Sequence, residues 1–336
     1  MERLELFRQT EPLLNRILVA IVGNNSRISC KSSTTDKRVI STLSPSFFGQ
    51  KTIYCVNGIY VGFEQMSAGL QRELKMDWAR TNNLKEGSEI RVTVPSAHVL
   101  LQEMQTRLGN GDGFSVATLN LDHVVKLRQQ PRFQAAYARH THVTADGRPV
   151  VWLLRFSGQS VELVPGSELI IPATEMAACL EAPVALLGTT NETLEKAARA
   201  LVTQFPTLKI AAQIAPAMDF DPEGAVADAY IEELRTSGAR VCFLALGAPK
   251  QEIFAERAFA RLPHMGFLSI GAGLDFIAGT QKRAPALVRA VAAEWLWRML
   301  GNPRRLAGRY AACIAILPGL FMTARQLRRA GRRKQP

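Results

Sequence analysis

Inspection of the sequence finds no run approaching the ~20 consecutive apolar residues that a membrane-spanning helix needs, so no spanning segment is expected. Leu13 to Val22 is apolar but is interrupted by Asn15 and Arg16. It also lacks the basic start and small-residue cleavage site of a secretory signal. Cysteine is sparse: five residues, at 30, 55, 179, 242 and 313, odd in number and scattered. That usage points to thiols in a reducing compartment, not to a disulfide framework. The five histidines, at 98, 123, 140, 142 and 264, are equally dispersed, which counts against a zinc centre. There is no G-x-S-x-G elbow, no Walker loop, and no G-x-G-x-x-G opening the first strand–helix unit. Gly271-Ala-Gly-Leu-Asp-Phe276 has two of those last glycines but comes late in the chain. A serine nucleophile, ATP chemistry and a nicotinamide cofactor are all disfavoured, and no cofactor is expected. A site that works without metal needs other positive groups, namely helix N-termini and arginines. That is the expectation here.

What is present is a globular composition: 336 residues, 47% hydrophobic and 21% charged. The net charge of +12 suits an anionic partner. Residues 1–87 are expected to form a poorly defined N-terminal extension, with a Ser/Thr/Lys-rich linker at 24–45, a strand pair near 54–62 and a short helix at 65–75. Residues 88–290 alternate strand and helix with short connections. Strands are expected at 90–94, 114–120, 183–188, 208–214, 241–247 and 267–273, and helices after Ser96, from about 121 to 139, after Pro149, from 165, from 189 and from 222. This pattern predicts an α/β fold, Rossmann-like, with a mainly parallel sheet and helices on both faces. Residues 291–336 differ. Trp295, Trp297 and several arginines flank the apolar segment 310–322, which contains Pro318 and is followed by a basic tail. Two readings stand side by side for this basic amphipathic appendage: a helix lying in a membrane interface, or a helix packed on the main domain. The basic residues cluster at one end and no nucleic-acid module is recognisable, so no nucleic-acid partner is expected.

In an open α/β sheet ligands sit beyond the carboxyl ends of the strands. Two apolar runs end there in glycine, Val241–Gly247 and Phe267–Gly273. Lys250, Gln251 and Glu252 follow the first and Asp275 follows the second. Gly188 ends a third run. Asp146 follows the strand at 141–145 and precedes Gly147. A carboxylate so placed can act as a general base on a hydroxyl, or it can stabilise its own turn. Thr118 and Asn120 end the neighbouring strand; each could meet a substrate, and Asn120 could equally cap the next helix.

In chain order the segments 114–127, 143–153, 165–170, 183–198, 244–254, 271–285 and 294–310 resemble the WecG/TagA/CpsF glycosyltransferases of bacterial surface and exopolysaccharide synthesis. The last three segments are the most specific. The resemblance implies transfer of a hexose, N-acetylmannosamine or its uronate from a UDP-sugar to an undecaprenyl-diphosphate-linked saccharide. It implies an inverting reaction on the inner face of the cytoplasmic membrane. It also implies Asp146 as general base, and substrate contacts from Thr118, Asn120, Gly188, Gly247, Gln251 and Asp275. Arg298, Arg304, Arg305 and Arg309 are the implied groups facing membrane and acceptor. Pro165-Gly-Ser-Glu168 departs from the Gly-Ser-Asp of many members, and Arg148 and Trp152 look like features of an exopolysaccharide subset. The sequence admits a homo-oligomer. The rival expectation is a non-catalytic membrane-surface binding or assembly protein that reuses the fold.

Overall fold

The computed structural model describes residues 46–48, 51–56, 59–62, 76–79, 89–281 and 303–333, with 297, 299 and 301 as isolated positions. All lie within one unit, Pro45–Pro336. The expected helix at 65–75 and the linker at 24–45 fall outside the described residues. The strand pair expected near 54–62 is seen as part of a small antiparallel sheet, β1 (Ser46–Phe48), β2 (Lys51–Val56) and β3 (Ile59–Gly62).

The main sheet has six strands: β4 (Phe114–Leu119), β5 (His142–Ala145), β6 (Val184–Gly188), β7 (Ile210–Ile214), β8 (Val241–Ala245) and β9 (Gly266–Ser269). Their order is β5-β4-β9-β8-β6-β7, and every pairing is parallel. The expected doubly covered α/β sheet is therefore present. The connecting helices are α1 (Ala97–Gly109), α2 (Leu121–Gln129), α3 (Pro131–Ala138), α4 (Arg148–Phe156), α5 (Gly166–Cys179), α6 (Asn191–Gln204), α7 (Ala225–Ser237), α8 (Lys250–Arg261) and the short α9 (Gly273–Ile277).

Alternation along each strand feeds two faces. Val241 and Phe243 pack with α1, α5 and α6, whereas Cys242 and Leu244 pack with α7 and α8. Similarly, Phe114 and Val116 face the first layer, and Ala117 and Leu119 face α2, α3 and α4. Full burial of each large apolar side chain contributes about 1.5–3 kcal/mol, so these two layers hold the sheet. Because α6 leaves β6 on one face and α8 leaves β8 on the other, a crevice opens between those strands at their carboxyl ends.

Two local expectations change. Residues 90–94 run beside β5, with Thr93 N donating to Val143 O at 2.9 Å, but they do not form a strand. The helix expected to continue to Arg139 is broken into α2 and α3. Gln130 is extended, with φ −124° and ψ 95°, and Pro131 starts the second helix. The break follows from proline, which disfavours helical backbone in the residue before it and suits a first helical turn.

The C-terminal appendage is one helix, α10 (Pro303–Arg333), running through Pro318. It lies against α2 and α4. Leu306, Cys313, Leu320 and Ala324 are its buried side chains, a spacing that keeps them on one stripe. Phe321 stacks on Phe156 of α4 at 4.8 Å between ring centroids, and the Arg328 guanidinium lies 4.9 Å from the same ring. Away from this contact Ile314 and Met322 are exposed, and Phe321 keeps its outer side open beside the stack. The stretch Leu306–Arg332, 27 residues long with an 18-residue window of mean hydropathy 1.4, is by length and composition apolar enough to cross a membrane. This corrects the expectation that no stretch is. Pro318 does not end the helix, and no charge stands between Arg309 and Arg325.

Candidate active site at the carboxyl edge of the sheet

Sheet order places residues distant in sequence side by side. Asp146 follows β5, Thr118 lies in β4, Gly271 follows β9, Gly247 and Gln251 follow β8, and Gly188 ends β6. At about 4.8 Å per strand, Asp146 and the β8 turn are about 14 Å apart, room for an extended ligand.

At the β4–β5 corner, Thr118 Oγ1 donates to Asp146 Oδ2 at 3.3 Å. The backbone fixes the same geometry from below, since Asp146 N donates to Leu119 O at 2.8 Å. Asp146 is half-buried and Thr118 buried. Gly147 turns the chain into α4 with φ +100°, a region where a side chain would be strained. Gly166, at the start of α5, lies against this corner. A Cβ there would come within 2.6 Å of Ser269 O and 3.2 Å of Thr118 Cγ2. Asn120 caps α2, its Oδ1 accepting from His123 N at 3.0 Å. The capping alternative for Asn120 is thus realised, beside Gly147.

The second half of the edge comes from the β8, β9 and β6 turns. Gly188, Gly247 and Gly271 all adopt positive φ. Gln251 is buried, its Nε2 donating to Glu252 Oε1 at 2.8 Å and its Oε1 accepting from Gly271 N at 3.2 Å. One amide therefore ties the β8 and β9 turns together. Asp275 Oδ1 accepts from Thr189 Oγ1 at 3.1 Å, which joins α9 to the β6 turn. Thr189 has φ +51°, uncommon for a β-branched residue.

Beneath these turns lies a layer of buried titratable groups. Burial pushes the Glu252 carboxyl up to about 7, opposed by the hydrogen bond from Gln251 and the charge of Lys126. Among the described residues its Oε2 has no hydrogen-bond partner. Tyr137 is raised well above its ordinary value, by burial first and then by the charges of Glu252 and Asp146. It therefore lies within electrostatic reach of both halves of the site. His123, whose Nδ1 is 3.4 Å from the Tyr137 hydroxyl, is lowered to about 4, by burial and then by Lys126. It stays neutral at physiological pH.

Of the C-terminal arginines, Arg298 lies outside the described residues, as does the side chain of Arg305. Arg304 is exposed. Arg309 is held by Asp122, Nε to Oδ1 2.8 Å. One acidic pair stands apart from the expected residues: the triplet Asp219-Phe220-Asp221 in the connection after β7. Phe220 is buried against Tyr230 and Phe254, and Asp221 Oδ1 accepts from Glu223 N at 2.9 Å, so that carboxylate shapes its own turn. Among the described residues no group of three His, Cys, Asp or Glu side chains is gathered as a metal ion would require. Sequence reasoning missed Thr189, Tyr137 and the Asp122–Lys126 pair. Only Thr189 carried a signal, as the residue directly after a strand-ending glycine.

A parallel sheet wound in both directions, with a half-buried carboxylate and three glycine turns along its carboxyl edge, defines an α/β protein with the kind of open edge at which such folds take their ligands. The model of the glycosyl transferase WecG/TagA/CpsF family matches residues 87–333, and the chain belongs to that family. Its activity is therefore glycosyl transfer in polysaccharide synthesis.

Proposed function

We propose that this chain moves a hexose, N-acetylmannosamine or its uronate from a UDP-sugar to an undecaprenyl-diphosphate-linked saccharide, with inversion and without a metal ion. The observation that carries this reading is the Thr118–Asp146 hydrogen bond at the rim, which fixes a half-buried carboxylate at the same carboxyl edge of the sheet as the Gln251 turn. Asp146 takes the proton of an acceptor hydroxyl. The oxygen attacks the anomeric carbon from the side opposite the diphosphate, the carbon–oxygen bond to UDP breaks, and UDP leaves with the electron pair. The N-termini of α6 and α8 carry partial positive charge, about +0.5 each, toward that leaving group. C-terminal arginines, Arg304 first, add to it.

The membrane reading rests on α10. It has no acidic residue from 303 to 333, and it shows Ile314, Phe321 and Met322 to the outside. A helix that keeps one stripe on α2 and α4 is not sheathed in lipid on all sides. We therefore place it along the inner membrane face rather than across it, with the acceptor's diphosphate among its arginines. The test is a panel of UDP-sugars with a lipid-diphosphate acceptor, read by product mass, with and without EDTA. One donor is expected to yield a glycosylated lipid of inverted anomeric configuration in both conditions. Asp146→Asn is expected to lose transfer by about 10²-fold or more with an unchanged melting temperature. Near-normal turnover by that variant removes Asp146 from the role of base.

A further inference from the structure

An open tryptophan stands close to the proposed base. Trp152 lies on α4, which begins directly after Asp146 and Gly147, and it is 55% exposed. Tryptophan is mostly covered in folded chains, because its ring has much apolar surface to remove from water. Its neighbours Val150, Val151, Leu153 and Leu154 are buried, so Trp152 occupies the outer side of α4. Phe156, one turn further on, is stacked on Phe321, whereas Trp152 has no ring partner among the described residues. Side chains on a helix lean toward its N-terminus and cover the preceding turn. The indole therefore leans toward the Asp146 end, from a Cα only about 6 Å along the axis from that of Arg148. Leu163, 36% exposed, flanks the same corner, since Val164 N donates to Ala145 O at 2.8 Å. β5 is the edge strand, so both side chains stand at the end of the sheet remote from the β8 and β6 turns.

We propose that Trp152 is a specificity-determining residue for the acceptor: a platform on which the sugar that carries the attacked hydroxyl lays its apolar face, with Leu163 bordering it. The inference rests on the transferase reading above and adds the side of the base from which the acceptor approaches. Asp146 has to lie within hydrogen-bond reach of the acceptor hydroxyl, and under that reading the donor fills the crevice toward the β8 turn. The body of the acceptor therefore extends the other way, over the edge strand, where Trp152 and Leu163 are. A pyranose has faces lined by C–H groups, which carry slight positive charge, and hydroxyls at its rim. The indole face is electron-rich, so it attracts the C–H face while the rim hydroxyls keep their hydrogen bonds. Such stacking recognises the sugar of the acceptor and is indifferent to its lipid and its diphosphate.

The experiment titrates the full-length protein with two probes, farnesyl diphosphate and its glucoside, and follows tryptophan emission. The difference between wild type and Trp152→Phe isolates the signal of Trp152 from those of the other tryptophans. The wild type is expected to bind the glucoside about tenfold tighter than the bare diphosphate, and only the glucoside to change the Trp152 emission. Trp152→Ala is expected to bind the two probes nearly alike, and Trp152→Phe, which keeps a smaller ring, to retain part of the preference. In turnover, Trp152→Ala should raise KM for a lipid-linked acceptor about tenfold and leave KM for the UDP-sugar and the melting temperature unchanged. A merely structural role would move those last two as well. An indole that only anchors the protein in lipid predicts equal losses for both probes, and that result overturns the proposal. So does a wild type that binds the two probes alike. A glucoside preference that Trp152→Ala abolishes, in a protein that forms no product with any UDP-sugar, refutes the donor reading and sustains the platform.

Discussion

Glu252 gives the sharpest test of how the site is built. Its carboxyl is fully buried at the start of α8 and, in the fold, titrates near 7 in place of 4.5. Between those two values the native state keeps a proton that the unfolded chain has already lost. Stability therefore falls as pH rises, with a slope approaching about 1.4 kcal/mol per pH unit. The contribution is fully present below about 4.5 and gone above about 7, and the whole displacement is worth about 3 kcal/mol. Glu252→Gln removes the titration while retaining an oxygen to accept from Gln251 Nε2. Among the described residues the new amide N–H finds no partner at the position of Oε2, which costs about 1–3 kcal/mol at every pH. The readout is thus the pH dependence of the difference between the two proteins, not its absolute value. His123 and His140, both lowered to about 4 by burial, add a rise in stability with pH over the lower range. They are common to both proteins and cancel in the difference. Urea unfolding from pH 5 to 9 should show the variant gaining about 2.5 kcal/mol on the wild type between the ends of that range, since part of the displacement is already lost at pH 5. A difference that stays flat refutes the buried, protonated Glu252.

Three further outcomes follow from other parts of the molecule. Gly266→Ala drives a Cβ into the buried ring of Phe114 and should cost about 1–3 kcal/mol, seen as a lower urea midpoint with an unchanged slope. Paired changes Ile314→Asp and Met322→Asp, on the exposed side of α10, should abolish co-sedimentation with anionic vesicles while leaving the melting temperature within a few degrees. Wild-type binding to the same vesicles should weaken with salt, because each arginine near the surface contributes about 1 kcal/mol of screened attraction.

Much of this architecture was legible along the chain. Short apolar runs ending in glycine marked β6, β8 and β9 because strands buried on both faces need no polar alternation. Their alternation with helices fixed a parallel sheet, and the strand ends marked Asp146, Thr118 and Gln251 as rim residues. Capping residues such as Ser96 announced helix starts through local chemistry alone, here with its side chain accepting from Val99 N. Pro131 carried its own signal, yet its effect on α2 and α3 was not drawn from it.

Contacts between segments far apart in sequence were decided only in three dimensions. Strand order is one, since no local preference says that β9 inserts between β4 and β8. It is that insertion which brings Gly271 to Gln251 and Ser269 to Gly166. The burial of Glu252 is another: a Lys-Gln-Glu run reads as solvated until α8 is covered by its neighbours. Arg309 reads as a lipid-facing cation in a basic tail, and only packing of α10 on α2 gives it Asp122. Sequence set the local periods and turns, because these depend on neighbours a few residues away. The fold set the charges' partners, because electrostatic and packing energies depend on distances that the chain closes last.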